Sequence, residues 1–346
     1  MLDLSSAKLE HAAIHFVGNK NNEEGVFISE EELWLEQAEN SNAIKKLCTS
    51  PFSAGETWAF THSSELGMNE VFVFCQRLFQ NPTDALAIST ELAKLLYEKS
   101  DHPQVKPGEF MVCLLNDCYY QNQSVQGIVF CKMENKELFL RLRQVGTGYD
   151  MQLIEGLLLN KPDKACLVLN MNEEQGFTIL NSEKQKGAEV QYWRDSFLQI
   201  KPAADNFNFT NTMLKVAKEF VTKEMPEEFP VGKTEALEFL SRSMDYFKSN
   251  ENFDKQEFAE SVFEDDRMID SFIKYGEDYC KHNELPNADQ FEINNTAVKK
   301  QARVYKSVLK LDKNFHIYIH GNRELIEKGT EPDGRKFYKI YFNHEE

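Results

Sequence analysis

The sequence predicts an α+β protein in two parts, and three observations predict it. The first part of the chain alternates short strand-like runs with amphipathic helical ones. The middle of the second part is helical without interruption. The charge then changes sign near residue 297. Together they imply an N-terminal mixed domain with an antiparallel sheet over 1–205, then a C-terminal helical domain over 206–346. A basic β-hairpin module at 297–343 closes the second domain.

The elements follow in order. Leu9–Val17 reads as the opening strand and Glu30–Leu47 as a helix, with Leu33, Leu35, Ala38, Ala43, Ile44 and Leu47 recurring on one face. The run Val71–Cys75 inside Met68–Gln80 suits a buried strand or a buried helix. Thr83–Ser100 is a helix preceded by the Asn81-Pro82 step. Strand-like runs at Glu109–Leu115, Gly127–Met133, Glu137–Gln144, Lys164–Asn170 and Gly176–Asn181, separated by turn residues, suggest an antiparallel meander. Tyr149–Leu159 fits a strand or a linking helix.

Residues 201–209 read as a connection. Helices are expected at Thr210–Lys223, capped by Thr210 or Asn211, then at Thr234–Lys248, Phe253–Phe263 and Asp266–His282. Ala297–Leu309 reads as a basic helix. Phe315–Ile319 and Arg335–Phe342 read as strands, and Pro332-Asp333-Gly334 has the composition of a tight hairpin turn.

Composition narrows the function. No apolar run reaches the length of a membrane span, and Met1-Leu-Asp-Leu-Ser-Ser lacks the basic start of a signal peptide. Seven cysteines without a C-x-x-C pair read as reduced packing residues, not as disulfides or a zinc site. The net charge of −17, from 39 Lys/Arg against 56 Asp/Glu, disfavours nonspecific attachment to nucleic acid. Its distribution is uneven, because residues 297–343 hold 11 Lys/Arg against 5 Asp/Glu. An acidic body thus carries a basic module that permits a local anionic partner.

Motifs for chemistry are weak. Gly232-Lys233-Thr234 lacks the glycine a phosphate loop needs five positions earlier, where Glu227 stands, and reads as a loop ending in the N-cap Thr234. Gly146-Thr147-Gly148 reads as a turn between strands. The pairs His11/His15 and His316/His320 lie in strand-like sequence, where four-residue spacing does not bring two rings to one metal. Asp163 before a strand, with Glu183 and Lys186 after the next, approximates a magnesium-nuclease pattern but has one residue too many between Glu and Lys. No catalytic residue, cofactor or metal is expected. The acidic stretch Glu251–Asp270 reads as solvated helix faces, with a docking surface for a basic partner as the sharper alternative.

The basic module is the candidate site. Lys299, Lys300, Arg303, Lys306 and Lys310 recur at spacings of three and four. On a continuous helix Arg303, Lys306 and Lys310 would form one stripe, with Val304, Val308 and Leu311 facing a core. On the last strand Arg335, Phe337, Lys339 and Tyr341 share a face. Lys299, Lys300, Arg303, Lys306, Arg335, Lys336 and Lys339 are therefore candidates for phosphate contacts, with Tyr338 and Tyr341 as stacking groups.

Several blocks also carry a resemblance. They are Ala13-Ile14-His15, Lys164–Asn170, Gly176–Leu180, Tyr192–Pro202 with its Trp193-Arg194-Asp195 core, and Asp205 with the helix Asn211–Phe220. Phe315–Gly321 and Gly334–Ile340 complete them. In this order the chain resembles the bacterial nucleoid-associated, NdpA-like family. The resemblance implies a cytoplasmic protein found with the nucleoid, with DNA or a DNA-associated complex as partner and no known reaction. Trp193, Phe197 and Leu198 are expected at the seam between domains, with Arg194 and Asp195 paired locally. A homodimer is compatible with all of this.

Overall fold

A computed structural model describes residues 2–159, 162–183, 192–303, 305, 307–311, 315–319, 326–342 and 344. The chain divides into two compact units, Met1–Ala203 and Ala204–Glu346.

The first unit is built on a nine-stranded sheet in which every pairing is antiparallel. In spatial order the main path runs Ile200–Pro202, Trp58–Phe60, Thr178–Glu183, Lys164–Leu169, Gln123–Met133, Gly108–Tyr120, Lys8–Val17 and Val26–Phe27. Successive side chains of a strand point to opposite faces, and both faces of the central strands are covered. Phe110, Val112, Leu114, Ile128, Phe130, Cys166 and Val168 join one buried cluster with the helices Glu70–Gln80 and Ala85–Glu98. Met111, Cys113, Leu115, Val129, Cys131, Ala165 and Leu167 join the other, with the helix Ala38–Thr49. Two-sided burial is why these strands read as unbroken apolar runs. All seven cysteines are free and buried.

Several expectations need correction. The helix foreseen from Glu30 begins only at Ala38. Leu33 and Leu35 still pack on the core, but as irregular chain whose Leu33 N–H donates to Ala12 O. The ambiguous segment is a helix from Glu70, because Asn69 caps it by accepting the Phe72 N–H and ties it to Thr61 O and Leu198 O. Glu137–Val145 is not part of the main sheet. It pairs with Gly148–Gly156 as a separate two-stranded ribbon, turning at Gly146 in the left-handed region (φ +59°). Trp193, Phe197 and Leu198 lie on a π-helical turn, Tyr192–Leu198, inside the core of the first unit, against Phe110 and Phe130. Arg194 does pair with Asp195, at 2.7 Å.

The second unit is a helical bundle whose core is largely phenylalanine. Phe220, Phe247, Phe253, Phe258 and Phe263 are fully buried among the helices Asn206–Glu219, Lys233–Ser249, Lys255–Val262 and Asp266–His282. Its first helix starts earlier than expected, at Asn206, because the Asp205 carboxylate accepts the Asn208 N–H. Thr234 likewise falls inside a helix that opens at Lys233. Phe253 belongs to a short strand, Asn252–Asp254, paired with Gln290–Glu292, and its ring stacks on Phe291 at 4.6 Å.

The basic segment departs most. Its helix covers only Asn295–Ala302, and Ser307–Leu311 is a strand paired with Phe315–Ile319. The last strand, Lys336–Ile340, pairs instead with Ile326–Thr330 around the turn at Gly334 (φ +88°). Two hairpins replace the single one expected.

Candidate nucleic-acid interface

Asn294 opens the basic helix by accepting the Thr296 and Ala297 N–H groups. Polar latches hold the segment to the helix Asn206–Glu219. The Asn294 N–H donates to Thr210 Oγ1 at 3.0 Å, Gln301 Nε2 to Asn211 Oδ1, and the buried Tyr305 hydroxyl to Leu214 O. Burial pushes the Tyr305 phenol upward, so it stays a neutral donor. With Ala297, Val298 and Gln301 buried, Lys299, Lys300 and Arg303 are left on the exposed side. Lys300 Nζ lies 5.6 Å from the centroid of the Phe207 ring, a cation–π contact. From Ile293 to Leu311 the sequence has five cations and no carboxylate.

The stripe Arg303–Lys306–Lys310 does not form. The helix ends before Arg303, Lys310 stands on a strand, and Lys306 lies outside the described residues, as do His320 and Lys186.

The last hairpin presents its cations differently. Its register sets Lys339 opposite Glu327, Tyr338 opposite Lys328 and Phe337 opposite Gly329. Alternation then places Lys336 and Tyr338 on one face and Phe337, Lys339 and Tyr341 on the other. The Phe337 ring covers Gly329 so closely that any side chain there would collide with it. Arg335 is engaged at the turn, its Nε 2.7 Å from Asp333 Oδ2. Lys339 Nζ sits 5.0 Å from the Tyr341 ring, and the Tyr341 hydroxyl, with Glu327, holds the ammonium in its charged form. Of the nine candidates, Lys299, Lys300 and Arg303 share one short helix end, Arg335 sits at the hairpin turn, and Lys336 and Tyr338 lie on one face of the last hairpin with Lys339 and Tyr341 on the other.

The remaining candidates have structural roles. Asp163 accepts the Glu134 and Asn135 N–H groups and the Asn135 side-chain amide, which commits its carboxylate to a turn. His15 is buried, donates from Nε2 to Ser89 and accepts the Ser29 N–H at Nδ1, and burial lowers its pKa. His11 pairs with Glu32 at 3.0 Å. Among the described residues no group of three potential ligands is placed to hold a metal ion. In the acidic stretch Phe253, Phe258 and Phe263 are core residues, while Asp254 and Asp265 cap helices and Glu264 pairs with Arg242. No helix among the described residues is long and apolar enough to cross a membrane.

Residues 13–335 match the family described as nucleoid-associated protein YejK. The chain belongs to that family. No curated protein matches the chain at a significant level. The matched residues include Lys299, Lys300, Arg303, Lys306 and Arg335 and end before the last strand, so Lys336, Tyr338, Lys339 and Tyr341 lie outside the match.

One electrostatic centre carries no mark in the sequence. Lys132 and Lys164 are cross-strand neighbours, both buried, with one carboxylate between them. Glu134 Oε1 lies 2.5 Å from Lys164 Nζ and 4.0 Å from Lys132 Nζ, and it accepts the Tyr192 hydroxyl at 3.2 Å. Lys132 donates to Lys106 O at 2.9 Å, and both ammoniums lie over the Tyr192 ring, at 5.5 and 5.3 Å. Burial brings the Lys132 pKa down to about 8 and pushes the Tyr192 phenol up. Lysine within a strand-like run signals an edge or a surface, so no pattern of residues points to this pair.

Proposed function

We propose that the protein binds DNA without catalysis, through its basic C-terminal module, as part of the cytoplasmic nucleoid. The observation that carries this reading is the end of the helix Asn295–Ala302. Polar latches turn one side inward, and Lys299, Lys300 and Arg303 project from a segment free of carboxylates. Such a cluster neutralises phosphates without reading bases, the mode suited to sequence-independent association. Lys336 and Tyr338 on one face of the last hairpin, with Lys339 and Tyr341 on the other, extend the contact. Arg335 serves once Asp333 releases it. The family's description supports association with the nucleoid.

The test is a salt series of DNA binding by the whole protein. Lys299→Glu with Arg303→Glu should weaken affinity about tenfold or more at low salt. The salt slope should fall by about one unit for each phosphate no longer neutralised. Unchanged affinity and slope would overturn the reading.

A second reading has its own support. The chain carries a net charge of −17, and Arg335 and Lys339 already have partners. A protein-interaction scaffold drawn to the nucleoid by a basic partner would use the acidic surface Glu251–Asp270, where Glu257, Glu260 and Asp266 are exposed. Recovery with the nucleoid, by a purified protein that shows no DNA affinity at low salt, distinguishes it.

A further inference from the structure

Among the described residues, the ribbon formed by Glu137–Val145 and Gly148–Gly156 pairs only with itself and is exposed along almost its whole length. Its two faces differ. One carries Leu138, Leu140 and Leu142, with Met151 opposite Leu142, Leu153 opposite Leu140, and Tyr149 near the tip. These six side chains are 55–74% exposed. The other face carries Arg141, Arg143, Asp150 and Gln152 along its middle, between Phe139 and Ile154 toward the base and Val145 at the tip. The ribbon thus has one face whose middle is apolar without interruption and one whose middle is charged and wet, and two strands alone are marginal in water.

We infer that this apolar face is the surface through which two copies of the chain associate. Three observations select a second copy as the occupant. First, the six side chains present on the order of 700 Å², close to the share one partner contributes to a standard interface and above the largest patch usual on a monomer. Second, the middle of the face holds no charge, so it offers nothing to a polyanion or a charged peptide, whereas an identical face matches it in length and chemistry. Third, its ends are unlike: Glu155 lies at the base and Gln144 and Tyr149 at the tip. A two-fold arrangement with ribbons running in opposite directions sets each Glu155 near the polar tip of its partner. The arrangement in the same direction would set the two carboxylates together. The association is therefore isologous, face to face and antiparallel.

Sedimentation equilibrium of the full-length protein tests this. The expected species at micromolar concentration has twice the 40.1 kDa monomer mass and dissociates on dilution. Leu140→Glu combined with Met151→Glu should give a monomer with an unchanged far-UV circular dichroism spectrum, since neither side chain belongs to a core cluster. Arg141→Glu with Arg143→Glu, on the wet face, should leave the dimer intact. Amide exchange in the wild-type ribbon supplies a measure independent of the variants' folding and should slow as protein concentration rises. A wild-type monomer at all accessible concentrations overturns the inference. So does a dimer that survives in the folded double variant, or ribbon exchange indifferent to concentration, including protection that appears only with lipid vesicles or DNA.

Discussion

Two sets of lysines, one in each unit, stand in opposite circumstances. In the first unit Lys132 and Lys164 are enclosed around Glu134 and the Tyr192 ring, and every ammonium contact is internal. In the second, Lys299 and Lys336 face solvent from a helix and a hairpin. A buried ammonium requires an answering carboxylate, carbonyl or ring, because the low dielectric magnifies an unpaired charge. An exposed one is satisfied by water and can exchange that water for phosphate. The same residue type thus serves cohesion at one place and is left available at another, and a charge count along the chain does not separate the two.

The sharpest way to break this contrast is to remove the buried carboxylate. Glu134→Gln leaves two ammoniums facing each other across adjacent strands. The expected cost is about 3–5 kcal/mol, the usual penalty for breaking a buried ion pair. Urea unfolding of the purified protein measures it. A loss below about 1 kcal/mol, the level of a surface pair, would mean that water reaches the cluster.

The next effect is a pH dependence. Lys132 titrates near 8 in the folded chain and near 10.5 when unfolded. Between those values the unfolded state holds more protons, so this group's contribution to stability rises with pH and its penalty is complete below 8. Tyr192 acts in the opposite sense above its ordinary value of 10, because the folded state retains its proton. The clean window is therefore pH 8 to 10, where wild-type stability should gain about 1–2 kcal/mol relative to Lys132→Met. Parallel curves for the two proteins would place the titration elsewhere.

Legibility in the sequence followed the same division. The strands Gly108–Tyr120, Gln123–Met133 and Lys164–Leu169 stood out because burial on both faces writes continuous apolar runs, and the helix Asp266–His282 because its period is unbroken. The helix beginning at Ala38 was overextended because Leu33 and Leu35 fit a helical period while packing as irregular chain beside the opening strand. The basic helix was overextended for a related reason. Its cations recur at helical spacing, yet the alternation Val308, Lys310 against Leu309, Leu311 also satisfies a strand, and pairing with Phe315–Ile319 decided between them. The ribbon read as one more strand of the main sheet because alternation reports a covered face without saying what covers it. Of the candidate site, the exposure of Lys299, Lys300 and Arg303 was legible. The division of Lys336 and Lys339 between two faces of a hairpin was not, because strand pairing is a tertiary fact.

The smallest expected effect compares the two units through a single charge. Asp333 holds Arg335 at the hairpin turn, with Arg335 81% and Asp333 53% exposed, so the pair adds little to stability. Asp333→Asn should leave unfolding unchanged, release the guanidinium and strengthen DNA binding about two- to fourfold at low salt, with the gain fading as salt screens it. Asp117 offers the matched control in the first unit, where it pairs with Lys8 at 2.9 Å and both side chains are exposed. Asp117→Asn makes the same change in net charge, and asparagine tolerates the left-handed backbone there (φ +56°). If binding depends on the module, only the Asp333 variant gains affinity in gel-shift titrations. Equal gains from both would mean that DNA senses the overall charge of the molecule and not an arrangement of residues at its C-terminal end.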